Sequence, residues 1–242
     1  MKIALLGFGV VGRGVYDICQ TLPGLEVVRI LRRKGSPREL PIVTDCFEDI
    51  VNDPSVDCVV EAMGGLHPAR EYLLACMAAG KQVVTSNKAV LAAFYDELSD
   101  AARSAGVAFG CEACVAGGVP FLAALRKAAR VSPILGFSGI LNGTTNYILS
   151  RMVDEGADFG QVLSAAQQLG YAEADPSADV DGLDVQNKAI VTCGIAFGFA
   201  PSHGQVPTFG IGSIQGQDVA DILSMGRVPK LLATARREGD SL

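Results

Sequence analysis

The chain has 242 residues and a formal net charge of −6 at neutral pH, and 49% of its residues are hydrophobic. This length and composition support one large or two ordinary folded domains and argue against disorder. The acidic balance argues against a nucleic-acid partner, and no apolar run reaches the roughly 18 to 20 residues of a membrane span, so we expect neither nucleic acid nor membrane as a partner.

A glycine-rich turn stands between the first predicted strand and the first predicted helix. Residues 2–6 are a short apolar run typical of a buried strand, and a helical pattern follows through residue 22. In this context the pattern G-x-G-x-x-G lets backbone N–H groups approach a pyrophosphate at the helix N-terminus. A glycine turn without a ligand is the alternative. We expect a dinucleotide to bind at Gly7, Phe8, Gly9, Val10, Val11 and Gly12.

Three basic residues follow the second predicted strand, residues 25–31. An NAD-specific protein would carry an acid about 20 residues after the glycine pattern, to bind the ribose 2′-hydroxyl. This chain has Arg32, Arg33 and Lys34 instead. Cations suit a 2′-phosphate, so the sequence predicts NADPH as cofactor, with NADH possible. Exposed basic residues that serve only solubility are the alternative.

Strands and helices then alternate through the first half of the chain. The patterns predict strands at 57–62, 82–85 and 107–111 and helices at 47–52, 68–79, 91–105 and 121–129. Such alternation indicates an α/β fold, a Rossmann-type doubly wound parallel sheet over residues 1–129, with ligands at the carboxyl ends of its strands. Met63, Gly64, Ser86 and Lys88 fall at such ends. We expect Lys88 to point into the cofactor crevice rather than into solvent, because a helix N-terminus disfavours a cation.

The seven cysteines lie at scattered, mostly apolar positions. That distribution fits a reducing, cytoplasmic location better than a disulfide framework. Cys111 and Cys114 form a C-x-x-C pair, but no second pair and no nearby histidine completes a zinc site. The sequence therefore favours two free thiols over a metal or redox centre.

Residues 130–242 lack the regular alternation, which predicts a second, α+β domain. Its predicted strands are 134–141 and 230–235, and its predicted helices are 147–154, 161–169 and 219–223. An acidic loop, 171–184, leads into a further helix. There Asp184 and Lys188, spaced i and i+4, share one helix face before an apolar run. An ordinary salt bridge on a solvated surface is the alternative.

Five motifs, in order, resemble homoserine dehydrogenases: GFGVVG at 7, TSNK at 85, CEACVAGGVP at 111, GILNGTTNYIL at 139 and GYAEADPSADVDGLDVQNK at 170. The resemblance implies reversible hydride transfer between NAD(P)H and a small-molecule substrate, L-aspartate 4-semialdehyde, which gives L-homoserine on the route to threonine and methionine. It also implies that residues 130–242 are a catalytic domain through which the protein forms a homodimer.

The resemblance assigns roles to individual residues. It implies that Lys188 donates the proton, that Asp184 is its partner, and that Lys88 is shared between cofactor and substrate. It places the substrate at Glu173, Asp179, Tyr171, Gly143 and Thr144. It also implies a monovalent cation, expected to be Na⁺, bound by Glu112 and by backbone carbonyls of Val115, Gly117 and Val119.

The chain departs from the family in length, and other hypotheses stay open. Family members normally continue through a late glycine-rich segment and many add an ACT domain, so we expect the second domain to be incomplete at its C-terminus. A truncated homologue that binds NADPH without turnover is therefore one alternative. A semialdehyde dehydrogenase-like enzyme is another, but it needs a reactive cysteine before Thr-Thr-Asn, where this chain has Gly143.

Overall fold

The structure is a computed structural model that describes residues 1–37 and 39–238. Its internal contacts divide the chain into two compact units, Met1–Phe121 and Leu122–Leu242. The division falls at the start of the helix Phe121–Ala129, whereas the sequence analysis places the boundary after that helix. Within the described residues, no helix combines the length and the apolar character needed to cross a membrane.

The first unit is built on a six-stranded sheet, counted over the described residues, in which all neighbouring strands are parallel. Its strand order is β3-β2-β1-β4-β5-β6. The strands are β1 (Lys2–Leu6), β2 (Glu26–Leu31), β3 (Val43–Thr44), β4 (Cys58–Glu61), β5 (Gln82–Thr85) and β6 (Phe109–Gly110). This arrangement confirms the predicted Rossmann-type sheet. The order reverses between β1 and β4, the topological switch point where such sheets bind ligands.

The helices of the first unit are α1 (Val10–Thr21), α2 (Glu48–Val51), α3 (Ala69–Ala78) and α4 (Lys88–Ala105). Apolar side chains of the strands pack with α1 into a core that includes Ile3, Leu5, Cys19, Val27 and Ile30. The last four residues of β1 are all buried. Burial on both faces explains why that strand is a continuous apolar run rather than an alternating one.

The second unit is mainly helical. Its helices are α5 (Phe121–Ala129), α6 (Gly143–Glu155), α7 (Phe159–Gln168), α8 (Ser177–Val180), α9 (Leu183–Phe197) and α10 (Gly216–Ser224). The two strands, β7 (Gly136–Gly139) and β8 (Ala233–Arg236), pair antiparallel. A core between α6, α7 and α10 contains Ile148, Leu149, Met152, Val162 and Val219. Helices with one short antiparallel sheet agree with the predicted α+β character.

Several predicted bounds were wrong, and side-chain caps explain two of them. The side chain of Asn87 accepts a hydrogen bond from Val90 N, so α4 begins at Lys88 and not at residue 91. Asn142 does the same for Thr145 N, so α6 begins at Gly143 and not at residue 147. The predicted strands at 107–111, 134–141 and 230–235 are shortened to β6, β7 and β8. The short elements β3 and α8 had not been predicted.

Candidate functional site

A cavity of about 600 Å³ in the first unit opens beside the glycine-rich turn. Gly7 has a positive φ of 99°, and a Cβ there would lie 2.7 Å from the Ala62 carbonyl oxygen. A Cβ on Gly12 would lie 2.3 Å from the Gly7 carbonyl oxygen, so both positions require glycine. A Cβ on Gly9 would meet no atom within 4 Å. The turn is thus packed on its protein side and open at Gly9, where a ligand can approach the N-terminus of α1.

The cavity brings together most of the residues predicted to bind the cofactor. The predicted residues among its lining are Gly7, Phe8, Gly9, Arg32, Arg33, Met63 and Gly64. Val10 and Val11 are exposed in the first turn of α1, while Gly12 is buried beneath it. Ser86 and Lys88 lie beyond β5 and do not line this cavity. Seven of the residues predicted to bind the cofactor therefore lie around one cavity, and the others lie outside its lining.

The buried carboxylate of Glu61 organises the ends of β4 and β5. It accepts hydrogen bonds from Met63 N at 2.7 Å and Thr85 Oγ1 at 2.5 Å, and its residue is fully buried. The Asn87 side chain donates to the Gly65 carbonyl at 2.7 Å, which ties the two loops together. The sequence analysis assigned no role to Glu61, although an acid at the end of the apolar strand 58–61 indicates a functional position. These bonds fix the turn that carries Ser86 and Lys88.

Cys111 and Cys114 are buried free thiols. Burial raises the pKa of the Cys114 thiol, and its sulfur lies 3.4 Å from the Thr85 carbonyl oxygen. A protonated, inaccessible thiol is poorly suited to redox exchange. Over the described part of the chain, no group of three or more His, Cys, Asp and Glu side chains could hold a metal ion. Burial of Cys114 thus disfavours its thiolate, the reactive form of the side chain.

Glu112 has one carboxylate oxygen that is buried without a hydrogen-bond partner among the described residues. It begins a short 3-10 helix, Glu112–Cys114, and the following chain passes through Ala116 and Gly117, both at positive φ. A buried carboxylate oxygen without a partner is costly. This oxygen therefore calls for a partner such as a water molecule or a cation, and the backbone carbonyls of Val115, Gly117 and Val119 lie in the same segment.

The acidic loop and α9 of the second unit form a compact polar cluster around Asp184. The Asp184 carboxylate lies 2.6 Å from Lys188 Nζ, as the i, i+4 spacing predicted. Their side chains are only 7% and 17% exposed, which contradicts a solvated surface pair. Lys188 Nζ also donates to the Leu141 carbonyl at 2.7 Å. The lysine is thus held by two oxygens at the polar end of an otherwise buried helix.

Asn142, which lies in the motif that begins at residue 139, also joins this cluster. Its Nδ2 donates to Asp179 Oδ1 at 2.7 Å and to Asp184 Oδ2 at 2.8 Å. Its Oδ1 accepts from Thr145 N, so the residue also caps α6. The structure therefore brings together Asp179, Asp184 and Lys188 of the predicted set through a residue that local spacing did not identify.

The other predicted substrate residues lie in the same unit. Thr144 Oγ1 donates to the Tyr171 carbonyl at 2.8 Å, next to Gly143 at the start of α6. Tyr171 and Glu173 are exposed in the loop between α7 and α8, and Gln167 holds the Glu173 carbonyl at 3.1 Å. A cavity of about 790 Å³ beside β7 and β8 contains none of the predicted residues.

The parallel sheet, its strand order and the glycine turn at the switch point define a dinucleotide-binding protein of the Rossmann class. Comparison with known proteins gives the family. A model described as the homoserine dehydrogenase NAD-binding domain matches residues 7–112, and one described as homoserine dehydrogenase matches residues 120–240. The chain belongs to the homoserine dehydrogenase family, and its first unit is a domain for a nicotinamide cofactor.

Individual homoserine dehydrogenases are similar in sequence and structure to nearly the whole chain. A homoserine dehydrogenase of Synechocystis sp. is 47% identical over 97% of this chain and 57% of its own length. The crystal structure of a homoserine dehydrogenase from Thiobacillus denitrificans has a TM-score of 0.91 at 40% identity, over 99% of this chain and 59% of that one. One from S. aureus has a TM-score of 0.84 at 35% identity, over 99% and 61%. The chain thus spans somewhat more than half the length of these relatives.

Proposed function

We propose that the protein interconverts L-aspartate 4-semialdehyde and L-homoserine with a nicotinamide cofactor. The observation that carries the proposal is the partly buried Lys188 ammonium, held against Asp184 and the Leu141 carbonyl. Reduction of an aldehyde needs a hydride on carbon and a proton on the developing alkoxide. The nicotinamide supplies the hydride when bound. Lys188 supplies the proton, so that aldehyde, reduced cofactor and one proton yield alcohol and oxidised cofactor.

The hydrogen bonds of Lys188 suit this role. An ammonium has three N–H donors. Within residues 1–37 and 39–238, Lys188 Nζ bonds to Asp184 and to Leu141, which leaves one donor for a substrate oxygen. Asp184 is itself held by Asn142, so the lysine is oriented rather than mobile. Such preorganisation lets the donor act without rearrangement as charge develops.

The substrate carries an ammonium and a carboxylate besides its aldehyde. We assign the ammonium to Glu173, because an exposed carboxylate in the loop before α8 can form a charge-assisted hydrogen bond with it. Asp179 lies within the Asn142 network and is assigned to the same substrate region. Tyr171, Gly143 and Thr144 are joined by the Thr144 to Tyr171 hydrogen bond and complete the proposed substrate set. Lys88 is proposed to serve both cofactor and substrate.

NADPH is the proposed cofactor, with weaker use of NADH. Arg32 and Arg33 line the cavity beside the glycine turn, where the adenosine ribose of a Rossmann ligand lies. Guanidinium groups bind phosphate with charge-assisted hydrogen bonds, which favours the 2′-phosphate. Gly7 to Gly12 hold the pyrophosphate, and Met63, Gly64 and Ser86 belong to the same cofactor site.

A monovalent cation, expected to be Na⁺, is proposed at Glu112. The buried unpartnered oxygen of Glu112 supports it, because a hard cation prefers oxygen ligands. Carbonyls of Val115, Gly117 and Val119 would complete the coordination. The homodimer remains a prediction from the family resemblance, and the cytoplasmic location remains a prediction from the distribution of the cysteines.

One assay tests the proposed activity against the alternative of nucleotide binding without turnover. Purified protein is mixed with NADPH and L-aspartate 4-semialdehyde, and loss of nicotinamide absorbance is followed together with formation of homoserine. We expect stoichiometric oxidation of NADPH and production of homoserine. NADPH binding with no oxidation would instead support the non-catalytic homologue.

A further inference from the structure

The chain after β2 folds back so that Glu39 lies against two arginines. Arg13 Nη2 donates to both carboxylate oxygens of Glu39, at 2.8 and 3.0 Å. Arg32 Nη1 lies 3.4 Å from Glu39 Oε1. Glu39 thus connects α1, which follows the glycine turn, to the residue after β2. No acid follows β2 directly in the sequence, but the fold places the Glu39 carboxylate beside Arg32, the first residue after β2.

Arg32 lines the nucleotide cavity, and Arg13 lies beside it against the ring of Phe8. The Arg13 guanidinium lies 4.6 Å and that of Arg32 6.0 Å from the centre of the Phe8 ring, and Phe8 and Arg32 line the cavity of about 600 Å³. Arg32 also lines an adjoining cavity of about 290 Å³, with Arg33, Ser36 and Asp45. Arg32 is further held by a hydrogen bond to the Pro37 carbonyl at 2.9 Å. Arg32, which lines both cavities, is therefore already paired with a carboxylate, that of Glu39.

We propose that Glu39 is a specificity-determining residue, whose carboxylate competes with the 2′-phosphate of NADPH for Arg32 and Arg13 and so limits the preference for NADPH over NADH. This inference rests on the proposed cofactor site. A 2′-phosphate beside these guanidinium groups would meet the like charge of Glu39, which already accepts hydrogen bonds from Arg13 Nη2 and Arg32 Nη1. NADH, which carries only a hydroxyl there, leaves the Glu39 ion pairs in place.

The ion pair between Arg13 and Glu39 is exposed and its carboxylate is charged, as competition with a phosphate requires. The side chains of Arg13 and Glu39 are 48% and 41% exposed, so their interaction is weak enough for a multiply charged phosphate to replace. The Arg13 hydrogen bond holds the pKa of Glu39 below its usual range. The carboxylate therefore stays charged near neutral pH, and protonation does not relieve the competition. The other charged side chains that line these cavities are Arg33, Lys34 and Asp45.

The test measures dissociation constants of NADPH and NADH by nicotinamide fluorescence, for the wild type and for Glu39→Gln. Glutamine keeps the size of the side chain and removes the charge. We expect Glu39→Gln to bind NADPH about threefold or more tightly at low ionic strength, with NADH affinity unchanged. The gain in NADPH affinity should shrink in about 0.5 M salt, because salt screens the charges. Asp100→Asn, which removes an acid paired with Arg103 on α4, is the matched control and should change neither affinity.

Other results would overturn the inference. Weaker NADPH binding in Glu39→Gln would mean that the carboxylate only orders the arginines. Equal tightening for NADPH and NADH would mean a general effect of charge without specificity. Arg32→Ala separates this inference from the cofactor proposal. If Arg32→Ala weakens NADPH binding while Glu39→Gln leaves it unchanged, the phosphate site stands and the role of Glu39 is rejected.

Discussion

The side-chain amide of Asn142 donates to Asp184 Oδ2 at 2.8 Å, and the same oxygen lies 2.6 Å from the ammonium of Lys188. The neutral amide also reaches Asp179, so it stands between two carboxylates that would otherwise repel each other. Asn142 touches neither reacting atoms nor cofactor in our proposal. It is a positioning residue that acts through Asp184.

Substitution of Asn142 should separate its two tasks. Asn142→Ser keeps a capping oxygen for α6 but removes the bridge to the acids, whereas Asn142→Ala removes both. We expect both variants to lose about ten- to a hundredfold in kcat, because Lys188 is misplaced. Only Asn142→Ala should lose about a further 1 kcal/mol of unfolding free energy. Steady-state kinetics and urea unfolding measure the two effects, and wild-type kcat in Asn142→Ser would reject the positioning role.

Replacement of Lys188 by alanine should abolish turnover and leave NADPH affinity nearly unchanged. A general acid contributes about a hundred- to ten-thousandfold to the rate, so kcat should fall by at least that order. Lys127→Ala, at an exposed position on α5, is the matched control and should retain activity. Loss of both turnover and NADPH binding would mean that Lys188 is only structural.

Reversal of charge at Arg32 should shift the cofactor preference toward NADH. Arg32→Asp removes a phosphate ligand and supplies an acid for the ribose 2′-hydroxyl, so the ratio of kcat/KM for NADPH to that for NADH should fall by about tenfold or more. Arg103→Asp makes the same change of charge on α4, at a side chain that is 76% exposed, and serves as the control. An unchanged ratio would remove the argument for a 2′-phosphate site.

Sodium should stabilise the protein through Glu112. A cation that binds only the folded state raises the unfolding midpoint with concentration, by about 2 °C or more once binding approaches saturation. Thermal unfolding in sodium chloride is compared with unfolding in N-methylglucamine chloride at equal ionic strength. Glu112→Gln should abolish the difference, because it removes the charge on the buried oxygen. A difference that persists in Glu112→Gln would place the cation elsewhere.

The buried thiol of Cys76 should make stability decline above pH 9. Burial raises the pKa of this thiol from 9.0 to about 12. Between these values the unfolded chain ionises the thiol while the folded protein keeps it protonated, so the unfolded state gains stability as pH rises. At about pH 10 this contribution reaches about 1 kcal/mol. Urea unfolding at about pH 8 and about pH 10 measures how much Cys76→Ala destabilises the protein. The destabilisation should be smaller at the higher pH by about 1 kcal/mol. Equal destabilisation at the two pH values would contradict the prediction.

Local patterns predicted those parts of the site that are close in sequence. The glycine turn was recognised because its G-x-G-x-x-G spacing lies within one strand–turn–helix segment, where a Cβ on Gly12 would meet the Gly7 carbonyl. The Asp184 to Lys188 pair was recognised because helical geometry alone brings i and i+4 together. Bounds of α4 and α6 were missed because Asn87 and Asn142 extend these helices with side-chain caps.

By itself, the sequence determined the alternation of elements in the first unit, the nucleotide turn and the spacing of the acid and the lysine, since each depends on short-range periodicity. Only the tertiary structure showed that Asn142 reaches Asp179 and Asp184 across 37 and 42 residues, and that Glu39 returns to Arg13 across 26. Such contacts depend on how separate elements pack. Local periodicity carries no information on the distance between side chains that are far apart in sequence, because packing of separate elements sets that distance.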